Sequence, residues 1–189
     1  MNRRLAQGFP GTQTPAETAV VALGSNLGDR AALIEEAVAA LRALPLTTDV
    51  RVARAVESIA IRPSGPDADA PAYLNTVAIV QTRLAPTVLL AALHAIEAAH
   101  GRERRERWGD RTLDLDLIAY GDVRTDTPSL TLPHPRAAER EFVLAPWLSI
   151  DPEGVLPGSG RVSDLLSALR ASAKRRDAPG DVASEEAPR

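Results

Sequence analysis

The sequence contains no cysteine, and Lys174 is the single lysine among 22 basic residues. Without cysteine, disulfides and thiolate-bound metal sites are excluded, and the redox compartment stays open. Without a lysine in a suitable position, a phosphate-binding loop of the G-x-x-x-x-G-K-[ST] type is excluded as well. Arginines, backbone amides or metal ions must therefore hold any phosphate that this protein binds.

Long apolar runs and aromatic residues are also scarce. No apolar run approaches the length of a membrane span, and "MNRRLAQGFPGTQTPAET" at the start lacks the apolar core of a signal peptide. A net charge of −3 argues against a general nucleic-acid-binding surface. With 3% aromatic residues, an RNA-recognition sheet lacks the rings on which bases stack. We expect a cytoplasmic protein that binds neither nucleic acid nor membranes.

A chain of 189 residues fits one compact domain. Residues 1–17 and 171–189 are small, polar and proline-containing, which predicts flexible tails around a folded unit of residues 18–170. Periodic segments in that unit follow the order β-α-β-β-α-β. This order is typical of the α+β, ferredoxin-like fold, with helices packed on one face of an antiparallel sheet. The other face or the sheet edge, with long loops around it, is then available for a site.

Local signals predict where the helices begin and end. Asp29 is the expected N-cap of the first helix, and Pro86 the first residue of the second. Gly101 is expected to end the second helix, and Ser163 to cap the last one. "VRVARAVESIAI" is predicted to form one strand.

The stretch "RTLDLDLIAY", residues 111–120, alternates as a strand. One face is expected to carry Thr112, Asp114, Asp116, Ile118 and Tyr120. The two aspartates are then roughly 6.6 Å apart along the chain and repel each other. A solvated sheet face is the simplest explanation. The apolar surroundings favour metal ligation, because Mg²⁺ takes one or two carboxylates plus waters and substrate phosphates, and a carboxylate pair can bridge two ions in phosphoryl transfer.

Arginines and a histidine flank this strand. "GRERRERWGDR", residues 101–111, supplies arginines that suit phosphate oxygens, and Trp108–Gly109 suggests a closing lid. Ion pairs on a solvated helix end are the alternative. "LPHPRAAEREF", residues 132–142, holds His134 between two prolines and adds Arg140 and Phe142. A structural turn histidine is the alternative there.

Two further segments carry weaker signals. In "YLNTVAIV", Tyr73 and Asn75 share a strand face and could form a heterocycle pocket, although ordinary strand composition explains them too. "LGSNLGDR", residues 23–30, leads into a helix N-terminus that could bind an anion or could simply connect two elements.

In combination, these motifs are specific enough to indicate one protein family. "ALGSNLGDR", "YLN", "RWG-x-RTLDLD" and "LPHP-x-x-x-x-R-x-F" occur in an order and spacing that resemble the 6-hydroxymethyl-7,8-dihydropterin pyrophosphokinases of folate biosynthesis. The resemblance covers about residues 19–155. It implies transfer of diphosphate from ATP to the hydroxymethyl group of the dihydropterin, with release of AMP. It also implies two Mg²⁺ ions, ATP and the dihydropterin as partners, and a monomer.

The resemblance also implies roles for individual residues. The metal ligands are Asp114 and Asp116, which act in catalysis together with Arg102 and Arg111. The residues implied in ATP binding are Arg102, Arg104, Trp108, Arg111, His134, Arg140, His94 and Glu97. The residues implied in pterin binding are Tyr73, Asn75, Phe142 and Trp108. The sequence departs from the family pattern at Asp110, where proline is usual, and at Arg62, where threonine is common.

A non-catalytic sensor domain of the same fold is the competing hypothesis. Such a domain binds a nucleotide or metal and keeps the arginine and aspartate ligands, but it does not need the pocket of Tyr73, Asn75 and Phe142. Turnover of the nucleotide distinguishes the two functions.

Overall fold

The computed structural model describes residues 15–62, 65–67, 69–100 and 112–177. The strands are β1 (Glu17–Ser25), β2 (Thr47–Val52), β3 (Val56–Ser58), β4 (Ala60–Arg62), β5 (Gly65–Asp67), β6 (Tyr73–Thr82), β7 (Asp114–Tyr120), β8 (Thr125–Thr127), β9 (Leu130–Leu132), β10 (Val155–Leu156) and β11 (Gly160–Arg161). The helices are α1 (Arg30–Ala43), α2 (Pro86–Ala99), α3 (Glu141–Ile150) and α4 (Val162–Asp177), with a 3₁₀ turn at Ala137–Glu139.

Five strands form the central antiparallel sheet, in the order β2-β6-β1-β7 with β3 also paired to β6. The predicted strand "VRVARAVESIAI" is wrong in detail, because the regular pairing with β6 is interrupted at residues 53–55, which divides the segment into β2 and β3 before β4 begins. With β2 and β3 counted as one strand, the topology is that of the ferredoxin-like fold. The predicted fold class is therefore confirmed.

Helices cover both faces of the sheet. On one face, Val21 and Leu23 of β1 share a buried cluster with Leu41 of α1 and Leu93 of α2. On the other, a second cluster joins the sheet to α3 and α4; it includes Val77, Ile79, Ile118, Val143, Leu144, Trp147 and Leu166. The expectation of helices on one face only is wrong, because this second face also carries apolar side chains that must be buried. What stays open is one end of the second face.

The predicted starts of the first two helices are confirmed. The Asp29 carboxylate accepts a hydrogen bond from the Ala32 N–H at 3.1 Å, which caps α1, and Pro86 is the first residue of α2. The Asp29 carboxylate thus occupies the helix end at which an anion could have bound. Gly101 lies outside the described residues.

The last two helices differ from expectation. α4 begins at Val162, before the predicted cap Ser163, and continues to Asp177 rather than ending near residue 170. Its last turns are rich in alanine, lysine and arginine, which favour helix, and the basic residues also suit a helix C-terminus. Residues 1–14 and 178–189 of the predicted tails lie outside the described residues. α3 was not predicted, because Pro146 lies inside it; the buried Val143, Leu144 and Trp147 stabilise that helix by packing.

No helix among the residues that the structure describes is long and apolar enough to cross a bilayer.

Candidate active site

The two aspartates of β7 lie at the open end of the second sheet face. Asp114 pairs with Gly24 of β1, and Asp116 pairs with Ala22. Both aspartates are partly exposed, whereas Leu115 between them is buried in the cluster on the opposite face. The predicted placement of the two carboxylates on one face is thus confirmed.

The predicted assignment of residues to one face of β7 is wrong at the C-terminal end of the strand. The register with β1 shifts between Val20 and Val21, so that Ile118 has no partner there. After this bulge, Ala119 lies with Ile118 in one cluster, and Tyr120 lies in the other. Tyr120 was therefore wrongly assigned to the aspartate face, because an extra residue in a strand reverses the alternation after it.

Asp116 has an arginine and a histidine as close neighbours. Arg140 donates from Nη1 to Asp116 Oδ2 at 2.7 Å, with the two side chains 19% and 31% exposed. His134 places Nε2 at 3.9 Å from the same oxygen. The structure thus brings together three of the residues that the sequence predicted at the phosphates and metal.

Backbone contacts hold His134 in place. Its N–H donates to the Ile118 carbonyl oxygen at 2.8 Å, and its Nδ1 accepts from the Arg136 N–H at 3.2 Å. A neutral imidazole with Nδ1 as acceptor carries its proton on Nε2, the atom that faces Asp116. Burial lowers the pKa of His134 from its ordinary value; Asp116 opposes this shift, and Arg140 adds to it. The contact at Nδ1 thus leaves Nε2 as the ring atom that faces the carboxylate end of the site.

Arg140 links the aspartates to Phe142. It is the residue that precedes α3, and its guanidinium carbon lies 5.7 Å from the centre of the Phe142 ring. Phe142 is partly buried against the second cluster. A cation over an aromatic face is attracted to it, so the position of Arg140 bears on both Asp116 and Phe142.

A neutral group lies across β1 from the aspartates. Asn75 of β6 pairs with Gly24, which pairs on its other side with Asp114, so the three residues form one row across the sheet. Asn75 is 6% exposed and donates from Nδ2 to Ser58 Oγ at 2.8 Å. Tyr73, two residues earlier on β6, shares this face, as predicted.

Gly24 leaves space between Asn75 and Asp114 because it has no side chain. A Cβ at this position would lie 2.9 Å from Asn75 Oδ1 and 3.8 Å from Tyr73 Cδ1. Sequence reasoning missed the role of Gly24, as it missed that of Ser58. A glycine in the interior of a strand, one residue before the end of β1, is the signal that could have pointed to a close approach.

Other predicted residues lie apart from this row or outside the described part. Arg102, Arg104, Trp108 and Arg111 lie outside the described residues. His94 is exposed on α2. Glu97 is 1% exposed, and its Oε1 accepts from the Leu115 N–H at 2.8 Å. Glu97 thus contacts the backbone of β7, and its role in ATP binding stays a prediction.

The chemistry of the donor set fits Mg²⁺. Within the described ranges, no group of three or more His, Asp or Glu side chains is arranged to hold a metal ion on its own. Mg²⁺ is usually bound by one or two carboxylates while waters and substrate phosphates fill the other positions. Asp114 and Asp116 provide such a pair, next to cationic and donor side chains that suit phosphate oxygens.

Comparisons with known proteins agree with this chemistry. The profile of the 7,8-dihydro-6-hydroxymethylpterin-pyrophosphokinase (HPPK) family matches residues 20–152. A 2-amino-4-hydroxy-6-hydroxymethyldihydropteridine pyrophosphokinase of Pseudomonas aeruginosa is 44% identical over 148 residues, which are 78% of this chain and 89% of that protein. The protein of the same name from Haemophilus influenzae is 40% identical over 149 residues, 79% of this chain and 91% of that one.

Solved structures support the fold. The HPPK-DHPS of Plasmodium falciparum with pteroate aligns with a TM-score of 0.64 and 13% identity, over 85% of this chain and 44% of that one. An HPPK-DHPS in complex with substrates aligns with a TM-score of 0.65 and 12% identity, over 86% of this chain and 45% of that one. The chain thus spans less than half the length of these solved chains.

Proposed function

Because the chain belongs to the 7,8-dihydro-6-hydroxymethylpterin-pyrophosphokinase family, we propose that it transfers diphosphate from ATP to 6-hydroxymethyl-7,8-dihydropterin. The products are the pterin diphosphate and AMP, in a step of folate biosynthesis. We also propose that the protein acts as a monomer.

The row Asn75–Gly24–Asp114 is the observation that carries this proposal. In it, a neutral hydrogen-bonding group and a carboxylate lie on one face, with a glycine between them, and we assign metal binding to the carboxylate. Neighbouring strands are about 4.8 Å apart, so the two outer residues are about 10 Å apart. A flat ring held at Asn75 can therefore extend a substituent over Gly24 toward the aspartates.

The neutral half of the site, defined as Ser58, Tyr73 and Asn75, orients the pterin. The Asn75 amide presents an acceptor and donors to the edge of a heterocycle, while Ser58 holds one of its N–H groups at 2.8 Å. Tyr73 supplies an aromatic wall, and we assign Phe142 to the opposite side of the ring. Hydrogen bonds to the heterocycle edge select this ring over apolar rings of similar size.

The charged half, defined as Asp114, Asp116, His134 and Arg140, receives the triphosphate. Asp114 and Asp116 would hold two Mg²⁺ ions, which would supply charge neutralisation and a lowered pKa for the attacking hydroxyl. Arg140 offers its guanidinium to phosphate oxygens, and His134 offers the Nε2 proton. The arginines of residues 101–111, predicted at the phosphates, would add to this positive charge.

The proposed reaction conserves every atom. The hydroxymethyl oxygen forms a bond to the β-phosphorus, and the bond from that phosphorus to the oxygen shared with the α-phosphorus breaks. AMP leaves with that oxygen, and the hydroxyl proton passes to solvent. The residues of the site position both substrates and stabilise the charge that moves onto AMP, which accounts for most catalysis in phosphoryl transfer.

Product analysis tests this function. The purified protein is incubated with ATP and Mg²⁺, with and without 6-hydroxymethyl-7,8-dihydropterin, and the nucleotides are separated. We expect AMP only when the dihydropterin is present, and no ADP. ADP would indicate ordinary kinase chemistry on this fold. Binding of ATP and Mg²⁺ without turnover would support the sensor function instead.

A further inference from the structure

A buried carboxylate beneath the metal-binding strand has no role in the chemistry described so far. Glu97, in the last turn of α2, is 1% exposed and lies next to the apolar Leu93 and Ile96 of the same helix. Burial of a carboxylate costs free energy unless hydrogen bonds compensate for it. Its Oε1 accepts a hydrogen bond from the Leu115 N–H at 2.8 Å.

Leu115 is the residue between the two aspartates, on a strand at the edge of the sheet. β7 pairs with β1 on one side, and β1 provides the partners of residues 114–117. In an antiparallel strand, the backbone groups of successive residues point to opposite sides. The Leu115 N–H points away from β1, to the side where Glu97 takes the place of a neighbouring strand.

A second contact on this outer edge also involves the site. The Ile118 carbonyl, at the bulge, accepts the His134 N–H at 2.8 Å. Within the described part of the chain, the outer edge of β7 is thus held by one contact near the aspartates and by one at the histidine. Glu97 makes the contact at Leu115, the residue between Asp114 and Asp116.

We propose that Glu97 is a positioning residue for the metal site. Its carboxylate holds the start of β7 through the Leu115 N–H and so keeps the carboxylates of Asp114 and Asp116 on one face, at the separation at which they share metal ions. Strand ends open more easily than strand interiors, and two neighbouring carboxylates repel, so an unanchored edge would let them separate. This role rests on the proposed function, and it excludes direct contact of Glu97 with the nucleotide.

Two substitutions of Glu97 distinguish the effect of its hydrogen-bond acceptor from the effect of its charge. Glu97→Met keeps the side-chain length and removes the acceptor, and Glu97→Gln keeps an acceptor oxygen and removes the charge. Glu36→Met is the matched control, because Glu36 is an exposed helical glutamate that pairs with His100 at 3.2 Å, on α1 rather than at β7. Thermal unfolding of each full-length variant confirms that it folds.

The measurements avoid the pterin, so that they stand even if the proposed substrate is wrong. We expect the Met variant to bind Mn²⁺·ATP about tenfold more weakly, as is typical when a group that orients a metal ligand is lost. ATP without metal should bind as in the wild type. Hydrogen exchange at the Leu115 amide should accelerate in the Met variant. The Gln variant and the Glu36 control should resemble the wild type in affinity for Mn²⁺·ATP, in affinity for metal-free ATP and in hydrogen exchange at Leu115.

Three results would overturn the proposal. Unchanged Mn²⁺·ATP affinity in a folded Met variant would show that the aspartates do not need the anchor. An equal loss of affinity for metal-free ATP would assign Glu97 to the nucleotide. A Gln variant as weak as the Met variant, with Leu115 still protected, would show that charge rather than the hydrogen bond matters.

Discussion

The two halves of the candidate site lie on the same sheet face but are held together differently. In the neutral half, Asn75 and Ser58 lie on paired strands and are joined by a neutral hydrogen bond. In the charged half, Asp116 on a strand meets Arg140 before a helix and His134 in a loop. The neutral half is held by sheet register and by a hydrogen bond between neutral groups. The charged half depends on the balance of opposite charges, so we expect added salt or a missing charge to affect it more.

Substitution of Asp116 should have the largest effect and should be confined to the charged half. Asp116→Asn keeps the shape of the side chain and removes the charge that a metal ion needs. Metal-assisted charge stabilisation contributes several kcal/mol, so we expect turnover to fall by roughly a thousandfold or more. Pterin-dependent AMP release measures the loss, and binding of the dihydropterin without nucleotide should stay as in the wild type.

Asp126→Asn is the control for this change. Asp126 is an exposed carboxylate of β8 that accepts a hydrogen bond from Thr131 at 3.0 Å, away from the site. The Asp126→Asn substitution should leave turnover unchanged. If Asp116→Asn weakened pterin binding as strongly as turnover, the two halves would not be separable.

Substitution of Arg140 should act in opposite directions on two ligands. Arg140 bonds to the carboxylate oxygen that a metal ion would use, and it is also the proposed partner of the phosphates. Arg140→Gln should therefore bind Mn²⁺ alone more tightly, because a competing cation is gone. Mg²⁺·ATP should bind about 10- to 100-fold more weakly, as expected for a lost charge-assisted hydrogen bond. Electron paramagnetic resonance of free Mn²⁺ and nucleotide titration measure the two effects.

Arg170→Gln is the matched control. Arg170 pairs with Glu141 at 2.8 Å, a similar distance, but both side chains are about half exposed. An exposed pair contributes little, so both affinities should be unchanged in this variant. A joint loss of Mn²⁺ and ATP binding in Arg140→Gln would show that Arg140 supports the site structurally rather than competing for Asp116.

Local sequence signals identified much of the fold and the charged half. Alternation placed Asp114 and Asp116 on one face of a strand, and Asp29 and Pro86 marked helix starts. These features depend on neighbouring residues along the chain, which is why the sequence shows them. The order of the segments then led to the ferredoxin-like topology.

Features that depend on distant pairing were missed. The bulge at Ile118 is visible only in the register of β7 against β1, and it moved Tyr120 to the other face. The row through Gly24 joins residues from three strands. Glu97 was expected at the nucleotide, since helical position alone does not show that β7 lies against it. Tertiary contacts decide each of these, and no local pattern encodes them.

The smallest predicted effect is in the neutral half. Ser58→Ala removes the acceptor of the Asn75 Nδ2 hydrogen bond and leaves the strand pairing of β3 and β6 in place. One neutral hydrogen bond is worth about 1 kcal/mol, so the KM for the dihydropterin should rise roughly fivefold, with kcat and the KM for ATP unchanged. Ser58→Thr keeps a hydroxyl and should restore the wild-type KM. A fall in kcat at unchanged KM would mean that the Asn75 amide acts on the transferring phosphate as well as on the ring. The row across β1 would then work as one unit, rather than as a neutral and a charged half.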